Sequence, residues 1–413
     1  MTIVRPFKAI RPTPALANRV VSLPYDVMNR AEAAQMAQDN PMSFLHICRS
    51  EIDLPDQKNP YDDSVYLKAR DNIKMFLADG TFVQDNEPSL YIYRQTMGGN
   101  TQTGIVGCVS IDDYINDVIK KHEFTREEKE LDRIRHFDIC NANTEPVFLT
   151  YRANAELSSQ INTYTIDHAA EFDITTQDGV GHIFWVIKDQ NIRDRIVELF
   201  NTIPALYIAD GHHRSASACK VGLKRREAFP GYTGEEEFNF FMAVIFPDVD
   251  LHIFDYNRVV RDLNGLTAES FIEAVQAAGF VVEHQGTQIF QPAQKHDFGM
   301  FLDGAWYQLS AKPEIAADHP IDGLDVAILQ NHLLAPILGI LDPRTDKRID
   351  FVGGIRGLAE LERRVSTDMM VAFAMYPVTI ADLLNVSDNG MVMPPKSTWF
   401  EPKLGSGLFV HQL

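Results

Sequence analysis

Cysteine is scarce in this 413-residue chain. There are four, Cys48, Cys108, Cys140 and Cys219, and no two form a C-x-x-C pair. That spacing indicates neither a zinc knuckle nor a disulfide framework, so reduced structural thiols in a reducing compartment are expected. Basic residues are outnumbered, 38 Lys and Arg against 57 Asp and Glu, for a formal charge of −19. A surface of that sign argues against nonspecific binding to nucleic acid or to anionic membranes. No apolar run approaches the roughly 20 residues that span a bilayer. The opening segment Met1–Pro12 has neither the apolar core nor the cleavage site of a secretory signal, so a cytoplasmic protein is expected. Internal repeats and low-complexity tracts are missing. So are a P-loop (G-x-x-x-x-G-K-[ST]) and a G-x-G-x-x-G after a strand, and any nucleotide must bind outside those two schemes.

What remains is the composition of a folded protein, 45% hydrophobic and 23% charged, on a chain too long for one ordinary core. Apolar spacing predicts helices from Arg30, over Ser64–Leu77, Ala155–His168 and Ile192–Phe200, and further on over Leu324–Leu334 and Ile355–Arg363. Tyr91–Gln95 and Gln102–Ile111 flank Met97-Gly-Gly-Asn100, a hairpin signal, and Phe172–Thr176 with His182–Lys188 read as another. Pro146–Tyr151 and Phe238–Phe246 read as strands, and 50–63 as a polar loop. Helices and hairpins mix without a regular βαβα alternation, so the expected class is α+β, mixed sheets with interspersed helices. The strongest motifs end near residue 255. A core domain over 1–255 is therefore expected, with a smaller α+β subdomain over 256–413 whose strand-like tail returns toward the core.

The most informative stretch is Pro204-Ala-Leu-Tyr-Ile-Ala-Asp-Gly-His-His-Arg-Ser-Ala-Ser-Ala-Cys219. An apolar strand over Ile203–Ala209 stops at Asp210-Gly211, and a small-residue helix begins at about His212. Free N–H groups and the positive end of the helix dipole would stand beside two imidazoles and a guanidinium, which is an anion pocket and most naturally a phosphate pocket. Gly211 permits a tight turn and close ligand approach. Asp210 is expected to cap the helix or to hold a magnesium ion. His212 and His213 diverge by about 100° on a helix, so they cannot chelate one metal from one face. Arg214 can grip a phosphate through two parallel bonds.

Four other stretches carry polar groups in unusual settings. In Pro24-Tyr-Asp-Val27, Pro24 fixes the start of a loop that displays Tyr25 and Asp26, with Asp26 otherwise a turn or cap residue. Lys121-His-Glu-Phe-Thr125 is not H-E-x-x-H, because position 126 is Arg, so a zincin is excluded. Thr125 with Glu128 reads as a capping box, leaving His122 and Glu123 for a site. The charged helix Arg126–His136 reads as solvated, with Arg133 the residue to turn inward. Met393-Pro-Pro-Lys-Ser-Thr398 places Lys396 and Ser397 behind a stiff Pro-Pro unit, either as phosphate ligands or as a plain surface loop. Phe351-Val-Gly-Gly-Ile-Arg356 is a weaker second anion site, or simply a turn before a helix.

Two resemblances follow from these motifs. Ile208-Ala-Asp-Gly-His-His-Arg214 resembles the strand–turn–helix phosphate motif of the ParB/sulfiredoxin superfamily, which includes free-serine kinases. Val4-Arg-Pro-Phe7, Pro24-Tyr-Asp-Val27, His122-Glu123, Glu145-Pro-Val-Phe148, Asp210-Gly-His-His-Arg214 and Met393-Pro-Pro-Lys-Ser-Thr398 occur in the order of the domain-of-unknown-function 1015 family, which carries no settled activity. The first resemblance implies a ParB/sulfiredoxin-like core and phosphoryl transfer to a small hydroxyl metabolite such as serine, with ADP or ATP as substrate and Mg2+ beside it. By chain order, Asp26 matches the kinases' acidic base. The expected site has Asp26, His122, Glu123 and His213 in catalytic roles. Asp210, Gly211, His212, Arg214, Lys396 and Ser397 bind phosphate, and Asp210 is the residue to hold a metal. A phosphatase of a small phosphoester and a non-catalytic nucleotide sensor are the alternatives. A DNA-binding version is disfavoured by the charge and by the lack of a basic helix-turn-helix.

Overall fold

Every residue of Phe240–Pro247 is buried, as a continuous apolar run in the middle of a sheet must be. The computed structural model describes residues 1–57 and 59–413; Lys58, in the loop expected over 50–63, lies outside the described residues. The chain divides into two units, Met1–Leu251 with Pro402–Leu413, and His252–Glu401.

The first unit is built on one nine-stranded mixed sheet. Its strands are β1 (Val4–Arg5), β2 (Leu90–Met97), β3 (Asn100–Ser110), β4 (Ile119–Lys120), β5 (Val147–Tyr151), β6 (Phe172–Thr175), β7 (Gly181–Ile187), β8 (Leu206–Asp210) and β9 (Phe240–Pro247). They lie in the order β4-β8-β5-β9-β3-β2-β7-β6, with β1 also on β3. The β8–β4 and β9–β5 pairs are parallel. Both expected hairpins form, β2–β3 and β6–β7. One core joins β-strand residues such as Ile92, Ile105, Leu149 and Ile245 to Leu157, Ile161, Ile196 and Phe200 of the flanking helices. A second core packs Ile73 and Phe76 of α1 (Asp63–Ala78) against Phe44, Leu45 and Phe82.

Helix α2 (Glu127–Cys140) departs from the expected solvated helix: Glu130, Asp132, Arg133 and His136 are buried. The reason is polar pairing. Tyr66 Oη of α1 donates to Asp132 at 2.9 Å, and Arg133 Nη2 lies 2.9 Å from the same carboxylate. The expected capping box at its start is also absent. The N-cap is Arg126, without a side-chain bond, and the Thr125 hydroxyl donates to Glu130 instead.

Helix α3 (His212–Ala228) lies against α2, and the Ser217 hydroxyl donates to the Glu130 carbonyl at 3.1 Å. Gly222 is part of this packing. A Cβ there would stand 2.4 Å from the Phe238 carbonyl oxygen and 2.7 Å from Ile111 Cδ1. Alanine favours a helix by about 1 kcal/mol over glycine, but overpacking costs about 1–3 kcal/mol. We expect Gly222→Ala to lower stability in urea denaturation; an unchanged or raised midpoint would contradict this packing.

The second unit carries a six-stranded antiparallel sheet, in the order Phe280–Gly286, Ala305–Ala311, Asp297–Leu302, Val371–Ala374, Tyr256–Val260 and Ile349–Gly353. Val259, Phe301, Trp306, Val352 and Leu361 form its core. The helix expected over Leu324–Leu334 becomes an α turn, Asp325–Leu329, running into a π turn, Gln330–Leu334. Phe351 lies in the strand Ile349–Gly353, and the expected turn before a helix follows it as a short 3-10 turn, Gly354–Arg356. The helix expected from Ile355 starts at Ala359, because Gly357 breaks the path at φ +72°. The class is α+β, as expected. Among the described residues no helix is long and apolar enough to cross a membrane.

Candidate functional site

Strand β8 ends in an irregularity between Ile208 and Asp210, and Gly211 follows at φ +96°. An L side chain rarely adopts that conformation, and a Cβ here would also stand 3.0 Å from Arg214 Nε. Gly211 itself is the N-cap of α3, and no side chain caps the helix. Its first-turn N–H groups and the positive end of its dipole therefore have no side-chain cap.

Asp210 does not cap the helix, since Gly211 stands between it and the first turn. Its Oδ2 accepts from Arg214 Nη2 at 2.6 Å, and its Oδ1 lies 3.4 Å from Lys403 Nζ. Burial opposes its charge, but Lys403 and Arg214 hold its carboxyl well below the usual range. Arg214 is 2% exposed and also donates from Nη1 to the Pro146 carbonyl at 2.5 Å. The free two-pronged grip expected of Arg214 is not the arrangement found: both outer nitrogens serve the fold, and Nε is buried without a partner. Arg214 thus fixes the charge and shape of the turn from below.

His122 and His212 are both buried, with ring centroids 4.5 Å apart and planes nearly perpendicular. The His122 backbone N–H donates to His212 Nε2 at 3.4 Å. That bond leaves Nε2 unprotonated and puts the proton on Nδ1, 3.5 Å from Glu123 Oε2. Burial pushes His122 down to about 4 and His212 well below its ordinary value, so both rings are neutral at pH 7. His122 Nδ1 is buried and unpartnered. On the same turn, His213 Nε2 accepts from the Arg126 N–H at 3.0 Å. Asp26 is exposed, and its charge is felt at His213, Arg214, Glu145 and Tyr25.

Beneath these groups lies a polar layer. Glu145 Oε1 accepts from the Tyr25 N–H at 3.1 Å and from the Ser406 hydroxyl at 3.0 Å. Its Oε2 stands 3.6 Å from Arg133 Nη1, and both atoms are buried without a hydrogen-bond partner. Burial pushes the Glu145 carboxyl up, and Arg214 and Arg133 pull it back. The Arg133 guanidinium lies 3.9 Å from the Tyr25 ring centroid. Arg133 is therefore the inward arginine of α2, as expected.

Of the expected site residues, Asp26, His122, Glu123, Asp210, Gly211, His212, His213 and Arg214 gather in the first unit. Lys396 and Ser397 belong to the second. There the Lys396 ammonium lies 5.4 Å from the Tyr256 ring centroid, and the Ser397 hydroxyl donates to the Pro394 carbonyl at 2.6 Å. Sequence reasoning missed Lys403 and Ser406. Both come from the Pro402–Leu413 tail, which runs back through the first unit by Ser22–Ser406 and Ile10–Val410 bridges. Their signal was a lysine ahead of a Gly-Ser-Gly run, Lys403-Leu-Gly-Ser-Gly407.

Among the described residues no group of three or more His, Cys, Asp or Glu side chains could hold a metal ion. Asp210, the residue expected to hold magnesium, is flanked by two cations, so its donor set does not fit a resident metal. The four cysteines are buried free thiols.

No curated protein matches the chain. Among solved structures it is similar to a conserved hypothetical protein from Pyrococcus furiosus, at 13% identity and TM-score 0.36, over 75% of this chain and 95% of that one. It is similar to a free serine kinase in complex with AMP, at 12% identity and TM-score 0.35, over 74% and 92%. SbnI with a C-terminal truncation from Staphylococcus aureus is similar at 11% identity and TM-score 0.40, over 74% and 87%. The model of a family described as a protein of unknown function, DUF1015, matches residues 4–327, well over half of the sequence, and the chain belongs to that family.

Proposed function

We propose that the Gly211 turn binds the phosphate of a nucleotide or small phosphoester, and that the protein moves a phosphoryl group to or from a small hydroxyl metabolite. The observation that supports this most is the uncapped N-terminus of α3, opening behind Gly211 beside two buried neutral imidazoles and the Lys403–Asp210–Arg214 array. Oriented N–H groups and fixed cations suit a transferring phosphoryl, whose stabilisation is almost entirely electrostatic.

Each residue then has a task. The N–H groups of the first turn and Lys403 face the phosphate. Arg214 keeps Asp210 charged and in place. His212 donates from Nδ1 toward the Glu123 side and stays neutral. Asp26, exposed beside His213, takes the proton of the acceptor hydroxyl. Resemblance of the turn to free-serine kinases makes serine the first acceptor to try. With water as the acceptor and a phosphoester as the donor, the same groups would run a hydrolysis: the water proton goes to Asp26 and the alcohol leaves.

Phosphorus NMR tests this. The purified chain is incubated with ATP or ADP, magnesium and serine, and separately with phosphoserine. We expect a new phosphomonoester or free phosphate signal, reduced about 100-fold or more in Asp26→Asn, with nucleotide affinity changed only a few-fold. Saturable nucleotide binding with no turnover across a metabolite panel would leave a nucleotide sensor and end the enzyme reading.

A further inference from the structure

The second unit contains a cavity of about 310 Å³ that the phosphate turn does not use. At liquid water's share of about 30 Å³ per molecule, that is room for about ten non-hydrogen atoms. Much of its wall is apolar: Val326, Leu334, Ile349, Phe351 and the Pro394-Pro395 pair. The Gln330–Leu334 π turn supplies part of it, and such turns recur at functional sites.

Arg258 is set into this wall at 4% exposure. It donates from Nη1 to the Tyr256 carbonyl and from Nη2 to the Lys396 carbonyl at 3.0 Å. Those bonds use two of the five N–H donors of a guanidinium. No carboxylate among the described residues pairs with it. The other charges of the lining, Asp342 and Arg344, neutralise each other at 2.9 Å. Burial lowers the Arg258 pKa to about 10, so the group is still charged at neutral pH. A buried cation held only by two carbonyls and the face of Phe351, 5.6 Å from its ring centroid, is unfavourable unless something supplies the opposite charge. Lys396 sits at φ +60°, a conformation that costs a non-glycine residue energy, and its carbonyl is one of those that hold Arg258.

We propose that this cavity binds a small organic carboxylate, its anionic group on Arg258 and its apolar body among Phe351, Leu334 and the Pro394-Pro395 pair. One unpaired guanidinium matches a monoanion, and an apolar wall matches a hydrocarbon body better than an inorganic ion. The Met393–Thr398 motif thereby gains a role through its prolines and a backbone carbonyl. A second anion site near Phe351 was expected with Arg356 as its cation; Arg356 is exposed, and Arg258 takes its place.

Calorimetric titration of the full chain tests the assignment, with octanoate, phenylacetate and benzoate, the amide of each, and inorganic phosphate. We expect at least one acid to bind one to one and at least tenfold more tightly than its amide, with phosphate not competing. Arg258→Met should remove the binding. Val326→Phe, which fills cavity space without touching the charge, should remove it too and covers the case where Arg258→Met fails to fold. Exposed Arg356→Ala should leave affinity within twofold. No acid binding at millimolar concentration, equal binding of acid and amide, competition by phosphate, or binding that survives in a folded variant of either kind would overturn the proposal.

Discussion

Arg214→Met is expected to lower stability by about 3–5 kcal/mol and to abolish the thermal shift that a bound nucleotide produces. Methionine keeps the bulk of a buried side chain but removes two bonds at once. Asp210 loses its 2.6 Å partner, and the Pro146 carbonyl loses its donor at 2.5 Å. Asp210 then keeps only Lys403, at 3.4 Å, and the turn at the start of α3 carries one positive charge fewer. An anion would meet a turn whose net positive charge is gone, with Asp210 balanced by Lys403 alone, so binding fails even where folding survives. Arg214→Lys should fall between, since one ammonium cannot serve both acceptors in the geometry of a planar fork. Urea denaturation gives the stability loss, and a thermal-shift titration with ADP gives the binding loss. A folded Arg214→Met protein with a full ADP shift would place the phosphate elsewhere.

Acidification from pH 6.5 to 4.5 is expected to remove much of the stability of the first unit. Burial pushes His122 and His182 down to about 4, His136 to about 3 and His212 well below its ordinary value. In the unfolded chain each takes up a proton near pH 6.5. The unfolded state therefore binds more protons through this window, and stability present above pH 6.5 is lost as pH falls. Each histidine can contribute up to about 1.4 kcal/mol per pH unit, so even a few of them reach several kcal/mol, a large share of the total stability of a typical domain. Buried Glu145, Asp113 and Asp250 titrate in the opposite sense, since burial raises their pKa values and the folded state takes up their protons first. The net loss is correspondingly smaller. Urea midpoints measured from pH 8 to 4.5 should fall most steeply below pH 6, and His122→Asn should flatten the slope by about one proton. Midpoints that stay level through this range would mean that the imidazoles are not buried in neutral form.

The strand, turn and helix around Gly211 were legible because each signal is local. An apolar run ends at Asp-Gly, and small residues follow at helical spacing. The inward face of α2 was legible only at Arg133. Glu130 and Asp132 are buried by pairing with Lys220 of α3 and Tyr66 of α1, and His136 by bonds to the Ile47 carbonyl and Thr144; charged and polar residues carry no apolar periodicity to announce it. The start of α2 was misread for a similar reason. The Arg126 N–H bonds to His213, 87 positions away, while Thr125 turns to Glu130. Lys403 and Ser406 were invisible because their partners, Asp210 and Glu145, lie 193 and 261 positions away. Lys396 and Ser397 were read for their side chains, whereas the second unit uses the Lys396 carbonyl and the neighbouring prolines.

The central claim is that phosphate sits on the backbone between Gly211 and Arg214. Amide NMR of the chain labelled with 15N at glycine and histidine, titrated with ADP, tests it most directly. The account predicts a saturable shift of the Gly211, His212 and His213 amides, lost in Arg214→Met. Saturable ADP binding that leaves those three amides unmoved would contradict it.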